Sequence, residues 1–156
     1  MTDARWSEVD DAVASAVRHF SGAVTIYPRL TTTEDRYFAE MAFLHAMLAG
    51  QTSLEAALLR ILDLLAETAP TGAPPTGARC HADLIARATH RLGDRPPILT
   101  GEAAAAAGET RRFRSVAAHA YDNFDETRAA KAVESAASLA SLLAAEIARF
   151  RQAVDP

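Results

Sequence analysis

Apolar residues recur along most of this chain at intervals of three and four, the spacing that lines one face of an α-helix. Val9, Ala12 or Val13, Ala16, Val17 and Phe20 form the first such face and predict a helix from near Thr2 or Asp3 to about Ser21. Pro28 should end any continuation, because the residue before a proline avoids the helical region. Thr31, Thr32 and Thr33 then offer an N-cap, with Glu34 and Asp35 placed to complement the dipole of a new helix. That second region runs from Glu34 to about Thr68, with Met41, Leu44, Leu48, Leu58, Leu62 and Leu65 on its stripe. Gly50 interrupts it, followed by a capping string, Gln51-Thr52-Ser53. The pattern allows one long helix with a weak point or two helices in line, since an interior Gly costs only about 1 kcal/mol relative to Ala.

Pro70-Thr71-Gly72-Ala73-Pro74-Pro75-Thr76-Gly77 reads as a loop, too short to separate domains. A short helix is expected around His81 to Arg91, ending at Gly93, and Arg95-Pro96-Pro97 makes a second break. Thr100 is a candidate N-cap for a helix running toward His119. A last helix, from about Asp125 to Val154, carries Val133, Ala136, Ala140, Leu143, Ile147, Phe150 and Val154 on one face. No segment shows the sustained alternation of a strand, and there is no internal repeat. The expectation is an all-α fold, an antiparallel helical bundle of four to five principal helices in a single domain over 1–156.

Composition sharpens this picture. Alanine occurs 36 times and aromatic residues make up only 6% of the chain, which suits helices that approach one another closely. The net charge of −4 argues against a protein that coats duplex DNA, so nucleic acid would have to be met at a local patch. The lone Cys80 provides neither a disulfide framework nor zinc-ligand spacing. No charged-then-apolar leader follows Met1 and no apolar run approaches a membrane span, so a cytoplasmic protein without metal or cofactor is expected.

Candidate chemistry concentrates in Arg114-Ser115-Val116-Ala117-Ala118-His119-Ala120-Tyr121, an R-x4-H-x-Y string preceded by Arg111-Arg112-Phe113. Histidine titrates near neutrality and suits proton transfer. Arginine presents a permanent planar charge matched to phosphate oxygens. Together they could cleave RNA, His119 assisting attack by a 2′-hydroxyl or protonating the leaving group and Arg114 stabilising charge on phosphorus. On a regular helix, however, the two are offset by about 140°, so a shared cleft requires the long reach of Arg114 or a second copy of the chain. The plain alternative is a solvated Arg114 and a His119 that complements a helix C-terminus. Arg111 and Arg112 are either phosphate contacts or a solvated helix face. Among the other histidines, His45 reads as a hydrogen-bonded core residue, whereas His19, His81 and His90 have no partners at metal-ligand spacing.

The same residues resemble the HepT-like toxins of the HEPN ribonuclease superfamily. The resemblance runs from Tyr37 to the end. It includes the helix Thr52–Leu62, the Pro75-Thr76-Gly77 turn before His81-Ala82-Asp83-Leu84-Ile85, Arg95-Pro96-Pro97-Ile98-Leu99, Arg111-Arg112-Phe113-Arg114 and Ala118-His119-Ala120-Tyr121. It implies a homodimeric, metal-independent endoribonuclease of a type VII-like toxin–antitoxin pair, with Arg114 and His119 catalytic and Arg111, Arg112 and Ser115 contacting RNA phosphate. It also implies a minimal nucleotidyltransferase antitoxin that silences the toxin by transferring AMP to Tyr121, which would otherwise be an aromatic closing the bundle. The chain departs from the family at Ser115, where many relatives carry Asn, Asp or His, and at Cys80-His81, where relatives often have Trp-His. A noncatalytic helical module that binds a nucleotidyltransferase is the alternative function.

Overall fold

The computed structural model describes residues 4–66, 80–119 and 124–155. Five α-helices account for most of them, and they contain no strand beyond an isolated bridge between Leu92 and Arg95. The helices are α1 (Ser7–Ile26), α2 (Arg36–Ala66), α3 (Cys80–Thr89), α4 (Gly101–His119) and α5 (Glu126–Val154). The all-α bundle expected from periodicity is thus the fold, four long helices with one short helix between α2 and α4. No helix among the described residues is long and apolar enough to cross a membrane.

The contacts fix the topology. Glu8 pairs with Arg60, the Ser15 and Ser53 hydroxyls meet at 2.9 Å, and Phe20 abuts Gly50, so α1 and α2 run antiparallel. The same ordering holds for α4 and α5, joined by Glu102 to Ser138 and Glu109 to Lys131. It holds again for α1 and α5, tied by Arg151 to Asp10 at one end and the Tyr27 hydroxyl to the Glu126 carbonyl at the other. The core between them combines large side chains, among them Phe20, Phe43, Leu58, Leu62, Leu139, Leu143 and Phe150, with alanines that let the backbones close in.

Several boundaries differ from the sequence pattern for identifiable reasons. The first helix does not stop near Ser21: α1 continues to Ile26 and passes into a 3-10 turn, Tyr27–Thr31. Pro28 sits in the opening turn of that segment, where its missing N–H would be unpaired anyway. The second helix starts two residues after Glu34: Asp35 gives its carbonyl to the Ala39 N–H, and the Thr33 hydroxyl accepts the Asp35 N–H. Gly50 does not break α2. A Cβ there would lie 2.7 Å from Cδ1 of Phe20, so the glycine makes room for a ring of the neighbouring helix. Thr100 stands at the head of α4, but its hydroxyl and N–H both donate to Glu146 of α5, which ties the two helices together. The loop at Pro70–Gly77 lies outside the described residues.

The segment after α3 folds back on it. Ile98 and Leu99 are fully buried and donate their N–H groups to the Ala88 carbonyl. Arg95 donates to the Arg87 carbonyl, and Arg149 of α5 donates to the carbonyls of Pro97 and Ile98. These contacts tie α3, through the segment that follows it, to α5, which matters for the side chain at its N-terminal end.

Candidate active site

Three helices converge on one buried carboxylate, Glu55. It is only 5% exposed, yet it belongs to the apolar stripe of α2, four residues after the equally buried Gln51 and three before Leu58. Its Oε1 accepts the Gln51 amide at 2.9 Å, and the Gln51 carbonyl accepts the hydroxyl of Thr110 on α4 at 2.7 Å. Only this orientation of the Gln51 amide satisfies both neighbours, because a carboxylate accepts and cannot donate. Oε2 of Glu55 receives two further groups, His81 Nδ1 at 2.6 Å and Arg114 Nη1 at 2.9 Å. Thr110, Gln51 and Glu55 therefore form a hydrogen-bonded chain leading outward from the core. No buried side-chain polar atom among the described residues lacks a partner.

Helical geometry explains why these side chains meet. Among the described side chains of α3, Leu84, Ile85 and Ala88 are buried, and His81 lies one turn before them on the same stripe. Burying that stripe carries the imidazole to Glu55. On α4, Thr110 and Arg114 are four apart, so burial of Thr110 aims Arg114 at the same place. Arg114 Nη1 also lies 3.0 Å from His81 Nδ1 and 3.4 Å from Nε2. The two cationic-type groups reach the surface unequally: the Arg114 side chain is 32% exposed and that of His81 50%. Among the described residues Arg114 engages these partners through Nη1.

The predicted site residues divide between two sides of α4. Arg114 faces α2 and α3, and Arg111 lies within about 60° of it on the helical wheel. Arg112, Ser115 and His119 fall on the opposite, exposed stripe, all within about 60° of one another. Arg112 is committed there to Glu109, at 2.6 Å, with Lys131 of α5 3.5 Å from the same oxygen. The Arg112 guanidinium holds the Glu109 carboxyl below its ordinary range, with Lys131 adding to the effect. These three residues line a polar cleft of about 260 Å³ between α4 and α5. His119 is the last residue of α4 and exposed, and no hydrogen bond from its ring is present among the described residues. Tyr121 lies outside the described residues. Within one chain, then, the structure does not bring His119 to the groups around Arg114.

His45, expected in the core, is exposed instead, since Leu44 and Leu48 define a stripe from which the next residue is rotated by about 100°. It meets His19 of α1 edge to face, with ring centroids 6.1 Å apart. Burial lowers the pKa of His19 from its ordinary value, assisted by the charges of Arg18 and His45. A cavity of about 560 Å³ between α1 and α5, lined by Val13, Val17, Ile147 and Arg151 among others, shares no residue with the Glu55 cluster.

Glu55, Gln51, Thr110 and His81 carry the geometry of the site, yet none stands out by motif. The one signal available was a carboxylate at an apolar position, Glu55 between Gln51 and Leu58. His81 was set aside for lack of metal-spaced partners, whereas its partners come from other helices. Comparison with known proteins bears on the same region. No curated protein and no solved structure matches the chain. A family model described as HepT-like protein matches residues 42–154. That range takes in Glu55, His81, Arg114 and His119 and covers most of the sequence, and the chain belongs to the family of HepT-like proteins.

Proposed function

We propose that this protein is the ribonuclease toxin of a toxin–antitoxin pair, cleaving RNA without a metal ion and acting as a homodimer. Membership of the HepT-like proteins supports a HEPN-type toxin module. The observation that carries the catalytic reading is the arrangement of Arg114: a guanidinium fixed at one corner by a buried carboxylate, on a side chain that is a third exposed. Such a fixed fork suits the non-bridging oxygens of a phosphodiester passing to a charged transition state. His119 supplies proton transfer, and a second copy of the chain would bring its exposed ring toward the Arg114 face. Arg111 and Ser115 contact the RNA backbone. Arg112 does so only by giving up Glu109.

A minimal nucleotidyltransferase is the proposed antitoxin, acting by transfer of AMP to Tyr121. The added phosphodiester would place negative charge and bulk beside the motif where RNA phosphate binds. One observation favours a second reading, a noncatalytic module that binds the nucleotidyltransferase: Arg114 pairs with Glu55 as a structural ion would, and His119 stands on the other side of α4.

Expression of the chain alone separates the two. A nuclease arrests growth and degrades RNA, and His119→Ala abolishes both while leaving the fold intact. A module with no activity is harmless alone and still binds its partner when His119 is replaced. Intact mass after co-expression with a nucleotidyltransferase tests the switch, with AMP increments expected on the wild type and absent from Tyr121→Phe.

A further inference from the structure

Cleavage of RNA by its own 2′-hydroxyl needs two proton transfers, one off the attacking oxygen and one onto the leaving oxygen. The R-x4-H string offers one histidine per chain, and that histidine faces away from the Arg114 of its own chain. The histidine in contact with Arg114 is His81. We propose that His81 is the general base of the reaction and Glu55 the residue that positions it, an inference that rests on the ribonuclease reading above.

Two contacts compete for His81 Nδ1: Glu55 Oε2 at 2.6 Å can only accept, and Arg114 Nη1 at 3.0 Å can only donate. The shorter contact, to the buried carboxylate, assigns the proton to Nδ1 and the lone pair to Nε2. A buried carboxylate holding Nδ1–H so that Nε2 can take a proton is the logic of the serine-protease triad. Among the described residues the charged groups facing the ring are Glu55 from α2 and Arg114 from α4. Arg114 Nη1 stands 3.4 Å from Nε2, so base and phosphate-binding cation present themselves side by side. The imidazole is half exposed, open to a substrate, while the network behind it is buried.

In the step itself, Nε2 of His81 takes the 2′-hydroxyl proton as the 2′-oxygen bonds to phosphorus. The bond from phosphorus to the 5′-oxygen breaks, and that oxygen receives a proton from His119. The products are a 2′,3′-cyclic phosphate and a 5′-hydroxyl. Arg114 holds the non-bridging oxygens throughout. The protonated His81 is stabilised by Glu55 until it passes its proton on.

The test uses the full-length protein, an RNA oligonucleotide that the wild type cuts, and the same oligonucleotide with sulfur replacing the 5′-bridging oxygen at the cut linkage. A thiolate leaves without protonation, so sulfur rescues loss of the acid and not loss of the base. His81→Asn keeps an amide N–H for Glu55 while removing the proton acceptor, and its thermal melt should overlay that of the wild type. Expected is a loss of about 10²–10⁴-fold for His81→Asn on both substrates, and for His119→Ala on the oxygen substrate alone. A folded His81→Asn that cuts at the wild-type rate while His119→Ala is dead overturns the assignment of His81 and leaves the ribonuclease reading standing. Rescue of His81→Asn by sulfur overturns the assignment as base. A wild-type protein that cuts no RNA overturns both.

Discussion

Removing Arg114 should destabilise the fold before any effect on chemistry is considered. Glu55 is 5% exposed, and Arg114 is one of the three groups that compensate its charge. Breaking a buried ion pair by deleting one partner typically costs about 3–5 kcal/mol, because the other charge is left in a poor solvent. Two features reduce that figure here. Arg114 is itself a third exposed, and His81 and Gln51 stay on the carboxylate. We expect Arg114→Ala to cost about 2–3 kcal/mol, a fall of about 4–12 °C in Tm for a chain of this size. Urea unfolding followed by circular dichroism at the helix band measures it. The decisive comparison is a double-mutant cycle with Glu55→Gln, which removes the buried charge but keeps a hydrogen-bonding side chain. In that background Arg114→Ala should lose most of its effect, leaving a coupling of about 1.5–3 kcal/mol. If Arg114→Ala unfolds within about 0.5 kcal/mol of the wild type, or costs the same in both backgrounds, the account of Glu55 as a buried charge held by Arg114 is wrong. The cycle also governs how toxicity assays are read. An inactive Arg114→Ala protein could be an unfolded one, whereas Arg114→Lys keeps a cation for Glu55 and loses the planar fork.

Gly50→Ala should destabilise by about 1–3 kcal/mol despite the better helix propensity of alanine, because its Cβ would press into the Phe20 ring; a more stable variant in urea would contradict this packing. Asp125 caps α5 through the Thr127 N–H and hydroxyl, and those bonds, the hydroxyl first, hold its carboxyl below the ordinary range. Its stabilisation is therefore present above the unfolded aspartate value and fades as pH falls through the lowered folded value; Asp125→Ala should lower Tm at pH 7 while Asp125→Asn largely preserves it. For His19 the sign is the same. Its lowered pKa means that the unfolded chain takes up a proton first, so stability holds above about pH 6.5 and declines as pH drops below it. His19→Gln should flatten the decline in Tm between pH 7 and 5, and an unchanged slope would rule out His19 as its source.

Most of the architecture was readable from periodicity because each long helix buries a regular stripe. Leu143, Ile147 and Phe150 of α5 are buried as their spacing requires, and Asp125 caps that helix where the pattern placed its start. Boundaries failed where a local signal had two structural uses. Pro28 reads as a terminator, yet a proline is equally at home in the first turn of a 3-10 segment. Gly50 reads as a weak point, and only the position of Phe20 on another helix explains it.

The site was legible in half. Arg114 announced itself by motif, but the direction of its side chain is set by Thr110 and Gln51, which link α4 to α2 across 59 residues of sequence. Local spacing cannot encode such a contact. It can encode the conflict that the contact resolves. A carboxylate and an amide four residues apart on an otherwise apolar stripe are unfavourable unless something satisfies them, and the residues able to do so are few: a hydroxyl, an imidazole and a guanidinium on facing helices. In this chain Thr110, His81 and Arg114 answer Gln51 and Glu55 in that way. His119 has no such tie among the described residues. The motif thus joins two residues of different standing, an arginine anchored through the core and a histidine held only by its helix. An anchored guanidinium can recognise phosphate within one chain, whereas the histidine depends on what is brought to it. For that reason the histidine already beside the arginine, His81, is the first place to look for the base.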